Sequence, residues 1–152
     1  MTIKTEDALK AYNVLATAKY GKLEDADKIK VWKIARVLKP VAEQFDGDSK
    51  DAAEKMKPSD DFDERLGKAQ EYERMLKQPD VDMSTLPMGA AEYSKFVEDF
   101  RAYNKLVNEA VREFAEKEVE LELDLLTEDS LGKLMASNDW TMAQVMNLSF
   151  LV

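Results

Sequence analysis

Glu118-Val119-Glu120-Leu121-Glu122-Leu123-Asp124-Leu125-Leu126 alternates apolar and acidic residues from 119 to 125. A helix would scatter these leucines around its axis. A strand puts Val119, Leu121, Leu123 and Leu125 on one face and Glu120, Glu122 and Asp124 on the other. The stretch therefore predicts a small β element near residues 119–125. One strand cannot satisfy its own backbone groups. Residues 2–4, residues 81–83 or a neighbouring subunit are the candidate partners.

Just upstream the period is different. Tyr93, Phe96, Phe100, Tyr103, Val107, Ala110 and Phe114 step by three and four, with no proline or glycine from 90 to 118. That spacing predicts one helix over 90–118, roughly 40 Å long. A helix of this length needs a long partner, and the helix expected over 25–45 is the natural one. Aromatics occupy seam positions where parallel coiled coils prefer Leu, Ile and Val, so an intramolecular layer is favoured over an intermolecular coil.

The rest of the chain reads as shorter helices. Residues 5–19 form one, with Thr5 as its cap and Gly21 as a left-handed stop. In 25–45, Val31, Ile34, Leu38, Val41 and Phe45 share a face that Trp32 and Ala35 widen. Pro40 falls inside this run, and an interior proline costs about 3 kcal/mol or more. Either the helix kinks near Val37 or a new helix starts at Pro40; the unbroken register favours the kink. Asp46 to Asp51 is polar and turn-like, and helix resumes through Ala52 and Met56. A third helix over 61–77 would bury Phe62, Leu66, Ala69, Tyr72 and Leu76. Residues 77–89 are irregular, with Pro79, Pro87 and Gly89. Thr127 caps a helix running to about Met135, Ser137 to Asp139 break it, and a last helix covers 140–147. The apolar ending Leu148-Ser149-Phe150-Leu151-Val152 should be buried. Both tryptophans read as core.

These elements give a mainly α (α+β) fold: an antiparallel helical hairpin or bundle with a long helix and a small appended β element. The 152 residues fit a single helical domain, 1–152, with an irregular internal segment at 77–89. With 45% hydrophobic residues and only 5 Gly and 4 Pro, a core can form without staples and helices are favoured.

Cysteine and histidine are both absent. Thiol nucleophiles, Cys-based metal sites and Ser-His-Asp triads are therefore excluded, leaving carboxylate, Lys, Tyr or Ser chemistry. The net charge of −9, from 31 acidic and 22 basic residues, disfavours direct nucleic-acid binding. The one dense basic run is Lys28, Lys30, Lys33, Arg36 and Lys39, read as a solvated helix face. No apolar run reaches the roughly 20 residues of a membrane span. The N-terminus lacks a signal-peptide shape, so a cytoplasmic location is the expectation.

Two motifs bear on metal chemistry. Asp46-Gly47-Asp48-Ser49-Lys50-Asp51 opens like a calcium loop, but Asp51 stands where Gly belongs and Lys57 where the bidentate Glu belongs. Helical Mg²⁺-dependent nucleotide pyrophosphatases use Glu-x-x-Glu followed by Glu-x-x-Asp. Here Glu113/Glu116 comes after Glu24/Asp27 and Glu43/Asp46, in the wrong order. Glu120, Glu122 and Asp124 read as the wet side of the ribbon. No catalytic, cofactor-binding or metal-binding residue is assigned, and no cofactor is expected.

The layout as a whole resembles a family. Ala11-Tyr12-Asn13 with Leu15, then Arg36-Val37-Leu38-Lys39, then Glu118 to Leu126 followed by a short capped helix and a terminal apolar helix, appear in order. This resembles an uncharacterised family of small proteins encoded by tailed phages and prophages. The resemblance implies a phage or prophage origin and a role in virion structure or assembly, and it carries no catalytic residues. The expected function is a non-enzymatic protein-interaction or assembly protein. Its partner would be a protein or a second copy of itself, with no direct nucleic-acid or membrane binding. A carboxylate–Mg²⁺ nucleotide hydrolase is the alternative. A weaker one is an acidic nucleic-acid mimic that occupies a DNA-binding partner.

Overall fold

A computed structural model describes residues 1–152. Six α-helices and one two-stranded antiparallel sheet follow in the order β1 (Thr2–Lys4), α1 (Thr5–Ala16), α2 (Asp25–Lys55), α3 (Phe62–Leu76), α4 (Ala90–Glu116), β2 (Glu118–Glu120), α5 (Glu128–Ser137) and α6 (Met142–Met146). The fold is mainly α with a small β element. The chain divides into two compact units, one of Met1–Asp48 with Arg112–Val152 and the other of Ser49–Val111. Helices α2 and α4 contribute residues to both. The irregular segment at 77–89 lies within the second unit and holds a short 3-10 turn at Met83–Thr85.

In the first unit the change of period near 118 is where helix α4 gives way to ribbon. Residues 2–4 pair with 118–120, Ile3 opposite Val119. The Met1 ammonium donates to the Leu121 carbonyl (3.0 Å) and the Leu121 N–H to the Met1 carbonyl (2.8 Å). Of the three proposed partners, residues 2–4 take the role; residues 81–83 do not, since Met83 begins a 3-10 turn. The ladder is also shorter than 119–125. Val119, Leu121 and Leu123 are half-buried, but Leu125 is exposed and Leu126 is buried. The alternation slips because the Leu126 N–H turns to the Leu151 carbonyl (2.6 Å), leaving the ribbon just before Thr127.

Thr5 does not cap α1. It is buried at the first helical position, and both its hydroxyl and its N–H donate to the Lys117 carbonyl at 2.8 Å. That carbonyl lies just past the end of α4, where helices leave acceptors unsatisfied. Helix α1 ends at Ala16, and Gly21 is not left-handed, because no glycine has positive φ.

Helix α2 overrides two local signals. It runs unbroken through Pro40, whose missing N–H deprives the Arg36 carbonyl of its helical donor. It also continues through Asp46 to Asp51, which is helix and not a turn. Gly47 weakens the helix there by roughly 1 kcal/mol. Buried Ala42 and Ala52 on either side, and a Gln44-to-Asp48 hydrogen bond of 2.7 Å, hold the register. The core of this unit gathers Ala8, Ala11 and Leu15 of α1, Val31, Ile34 and Leu38 of α2, Leu134 of α5, and Leu126, Leu148 and Leu151. The apolar ending is seated there. Thr127 caps α5 by accepting from the Ser130 N–H (3.1 Å), as expected. The buried Ser130 hydroxyl in turn donates to Asp27 of α2 (2.8 Å). Thr141 and Gln144 form a capping box that starts α6, two residues later than the sequence suggested.

The second unit is built on aromatics. The α4 seam of Tyr93, Phe96, Phe100 and Tyr103 is buried or half-buried as its spacing requires. It packs chiefly on α3. Phe62 lies 5.6 Å from Phe96, 6.2 Å from Phe100 and 4.8 Å from Tyr103, and Tyr72 stacks on Tyr93 at 4.6 Å. The expected partner, α2, contributes here the Ala53 carbonyl, which accepts from the Tyr103 hydroxyl at 2.8 Å. Leu76 is exposed and not part of this face.

Arg65 of α3 pairs with Asp99 of α4 at 2.8 Å, and Lys95 reaches the same carboxylate at 2.8 Å. Hydrogen bonds from Lys95 first and Arg65 second hold the Asp99 carboxyl below the ordinary aspartate range. A carboxylate lowered in the folded state adds stability above its unfolded value, near 3.9, and loses it as pH falls through the folded value. Asp99→Asn should therefore lower the urea midpoint at pH 7, and the gap to wild type should close on acidification below about pH 4. A gap unchanged between pH 7 and pH 2.5 would show that the pair adds nothing.

Candidate functional site

The carboxylates weighed for metal chemistry are not gathered by the fold. Asp46 and Asp48 lie on continuous helix, Glu113 and Glu116 on the last turns of α4, and Glu122 and Asp124 on the exposed side of the extended segment. No group of three or more carboxylates is placed to hold a metal ion. Asp27, from the Glu24/Asp27 pair, accepts the Ser130 hydroxyl and serves the packing of α5.

The surface of the first unit carries a different feature. Trp32, expected in the core, is 57% exposed; Ile29 is 55% exposed and Tyr20 49%. At 100° per residue, Trp32 lies about 140° around α2 from the centre of the Val31–Ile34–Leu38–Val41–Phe45 stripe, and Ile29 about 160°. Both therefore stand on the helix's far side. That arithmetic was available in the sequence. Aromatics at helical spacing usually face the core, and Trp32 departs from that expectation; Ile29 and Tyr20 join it at the surface. Trp140 is half-buried against the core, nearer to expectation.

These side chains line an open groove of about 680 Å³ between α1 and α2. Tyr12, Leu15 and Ala16 of α1 form one wall, and Ile29, Trp32 and Ala35 of α2 the other. Tyr20, from the loop after α1, lines it as well. Its position is fixed through its neighbour: the Lys19 N–H donates to the Asn138 side-chain oxygen (2.8 Å), and the Asn138 amide donates to the Lys19 carbonyl (2.7 Å). The same amide donates to the Leu134 carbonyl on α5 (2.8 Å). One asparagine thus pins the loop after α1 to the end of α5, in the stretch the sequence marked only as a break.

The groove's charged rim is wholly basic: Lys28, Arg36 and Lys39 line it and no acidic residue does. From Lys28 to Ala42 the chain has five basic residues and no acidic one, against a net charge of −9 overall. Lys28 pairs with Asp25 (3.5 Å) and Lys39 with Glu43 (3.6 Å), both at exposed carboxylates. Arg36 makes no ion pair; its guanidinium lies over the Trp32 ring, 5.3 Å from the centroid. Glu122 and Asp124 lie across a separate groove beside Lys33 and Arg36, without closing a salt bridge. An arginine on an exposed tryptophan presents an apolar plane and a cation without an ion pair together, and both residue types are enriched where proteins anchor partners.

Comparison with protein-family models, with curated proteins and with solved structures finds no match to this chain. No helix is long and apolar enough to cross a membrane.

Proposed function

We propose that this chain is a non-enzymatic interaction protein of phage or prophage origin, acting in virion structure or assembly by binding another protein in the cytoplasm. The observation that carries the reading is the exposed Tyr20–Ile29–Trp32 groove with its unpaired Arg36. Large apolar side chains held open to water beside a cation that has no ion pair are costly to keep unless something covers them. The phage and assembly part of the proposal rests on the layout resemblance alone. The Mg²⁺ hydrolase reading has no comparable support, since its carboxylates stay apart.

Co-expression with the products of adjacent genes tests the proposal. A stoichiometric complex with one of them, together with no turnover of nucleotides in Mg²⁺, is the expected result. Nucleotide hydrolysis that disappears in Glu113→Gln/Glu116→Gln would overturn it.

A further inference from the structure

We infer that the α1–α2 groove receives an acidic amphipathic helix from a different protein, its apolar side chains seated against Ile29 and Trp32 and its carboxylates on Lys28, Arg36 and Lys39. The inference rests on the interaction reading above and names the partner's chemistry. Three observations lead to it. The groove is concave and lies between two helices, a shape that accepts the apolar edge of a third helix and not the flat face of a bilayer. Its lining is mostly apolar and aromatic, so a phosphate backbone would satisfy the rim and leave the floor uncovered. Its rim carries cations only, in a chain that is otherwise strongly acidic.

The same charges argue against a second copy bound face to face. An isologous contact across Trp32 would bring Lys28, Arg36 and Lys39 of one protomer against the same residues of the other, and like charges set opposite one another are repelled. An acidic partner reverses that sign. It would also meet Arg36 and Lys33 at little cost, because neither has a carboxylate to give up.

Intrinsic fluorescence can read this directly. In Trp140→Phe, emission reports Trp32 alone; calorimetry on the wild-type chain covers the case where that variant folds poorly. The probe is a synthetic helical peptide with Leu and Phe at i, i+3, i+4 and i+7 and Glu on the flanks. Controls are the same peptide with Lys for Glu, a single-stranded 20-mer DNA, and vesicles of anionic lipid. The expected result is a saturable blue shift with the acidic peptide, weakened by salt and about tenfold weaker in Arg36→Glu, and peptide binding by calorimetry that is lost in Trp32→Ala with its helical circular dichroism intact. Equal binding of the lysine peptide would overturn the inference. So would a Trp32 shift given by DNA or vesicles and not by the acidic peptide, or self-association in light scattering that Trp32→Ala removes. If the acidic peptide fails while co-purification with an adjacent gene's product persists, this inference falls and the interaction reading stands. If the peptide binds and no such complex forms, the groove's chemistry stands and the assignment of its partner to an adjacent gene's assembly product falls.

Discussion

Replacing Leu148 and Leu151 together with alanine is expected to cost about 4–8 kcal/mol and to leave the first unit unfolded or nearly so at 25 °C. Both side chains are fully buried, in one cluster with Ala8 and Ala11 of α1, Leu38 of α2 and Leu134 of α5. Each leucine-to-alanine change at such a site costs about 2–5 kcal/mol, part transfer and part cavity. The two leucines lie three residues apart, joined by the Leu151 N–H donating to the Leu148 carbonyl (2.9 Å), so their costs should couple and not add in full. Leu151 also accepts from the Leu126 N–H, so losing its seat frees the extended segment between β2 and α5. Val152→Ala is the control: this side chain is 38% exposed and its loss should stay within about 0.5 kcal/mol. Urea unfolding followed by circular dichroism separates the outcomes. A double variant within 1 kcal/mol of wild type would show that the apolar ending does not plug the core.

Periodicity made the long elements legible, because packing and period agree there. The α4 seam faces inward at Tyr93, Phe96, Phe100 and Tyr103, and the shift to ribbon falls at Glu118. The β partner was legible only as a choice among three, since two short strands carry no pairing code beyond their apolar faces. Asp46 to Asp51 was misread as a turn: Asp, Gly and Ser prefer loops in isolation, but helix packing from Ala42 to Ala52 outweighs that preference. Thr5 was misread for a related reason. A threonine beside acidic residues looks like a cap, whereas the ladder from Met1 to Thr5 draws its hydroxyl to Lys117, more than a hundred residues away. The candidate surface was the least legible part. Composition cannot tell an exposed tryptophan from a buried one; only the angular positions of Ile29 and Trp32, opposite the apolar stripe and among the five basic residues of α2, mark this face as more than a solvated one. Asn138 shows the same limit: its bridge to Lys19 joins residues that no local pattern connects.

Phe62→Ala should be the most damaging single change in the second unit, at about 3–5 kcal/mol. Phe62 is 2% exposed and is the one ring on α3 that touches Phe96, Phe100 and Tyr103 together. Removing it leaves a void faced by three rings and forfeits aromatic contacts that add about 0.5–1.5 kcal/mol per pair beyond area. Two polar contacts depend on the same packing. Tyr103 holds the Ala53 carbonyl, and the Arg65 guanidinium sits over Phe96 at 5.5 Å while reaching Asp99. Near-ultraviolet circular dichroism should therefore lose tyrosine signal along with the phenylalanine. Phe62→Leu keeps most of the volume and loses the ring contacts, so it should fall between wild type and alanine. The neighbouring Phe100, only half-buried, should cost less on truncation. If Phe62→Ala costs no more than Phe100→Ala, the joint of α3 and α4 is shared evenly along the seam and does not centre on this ring.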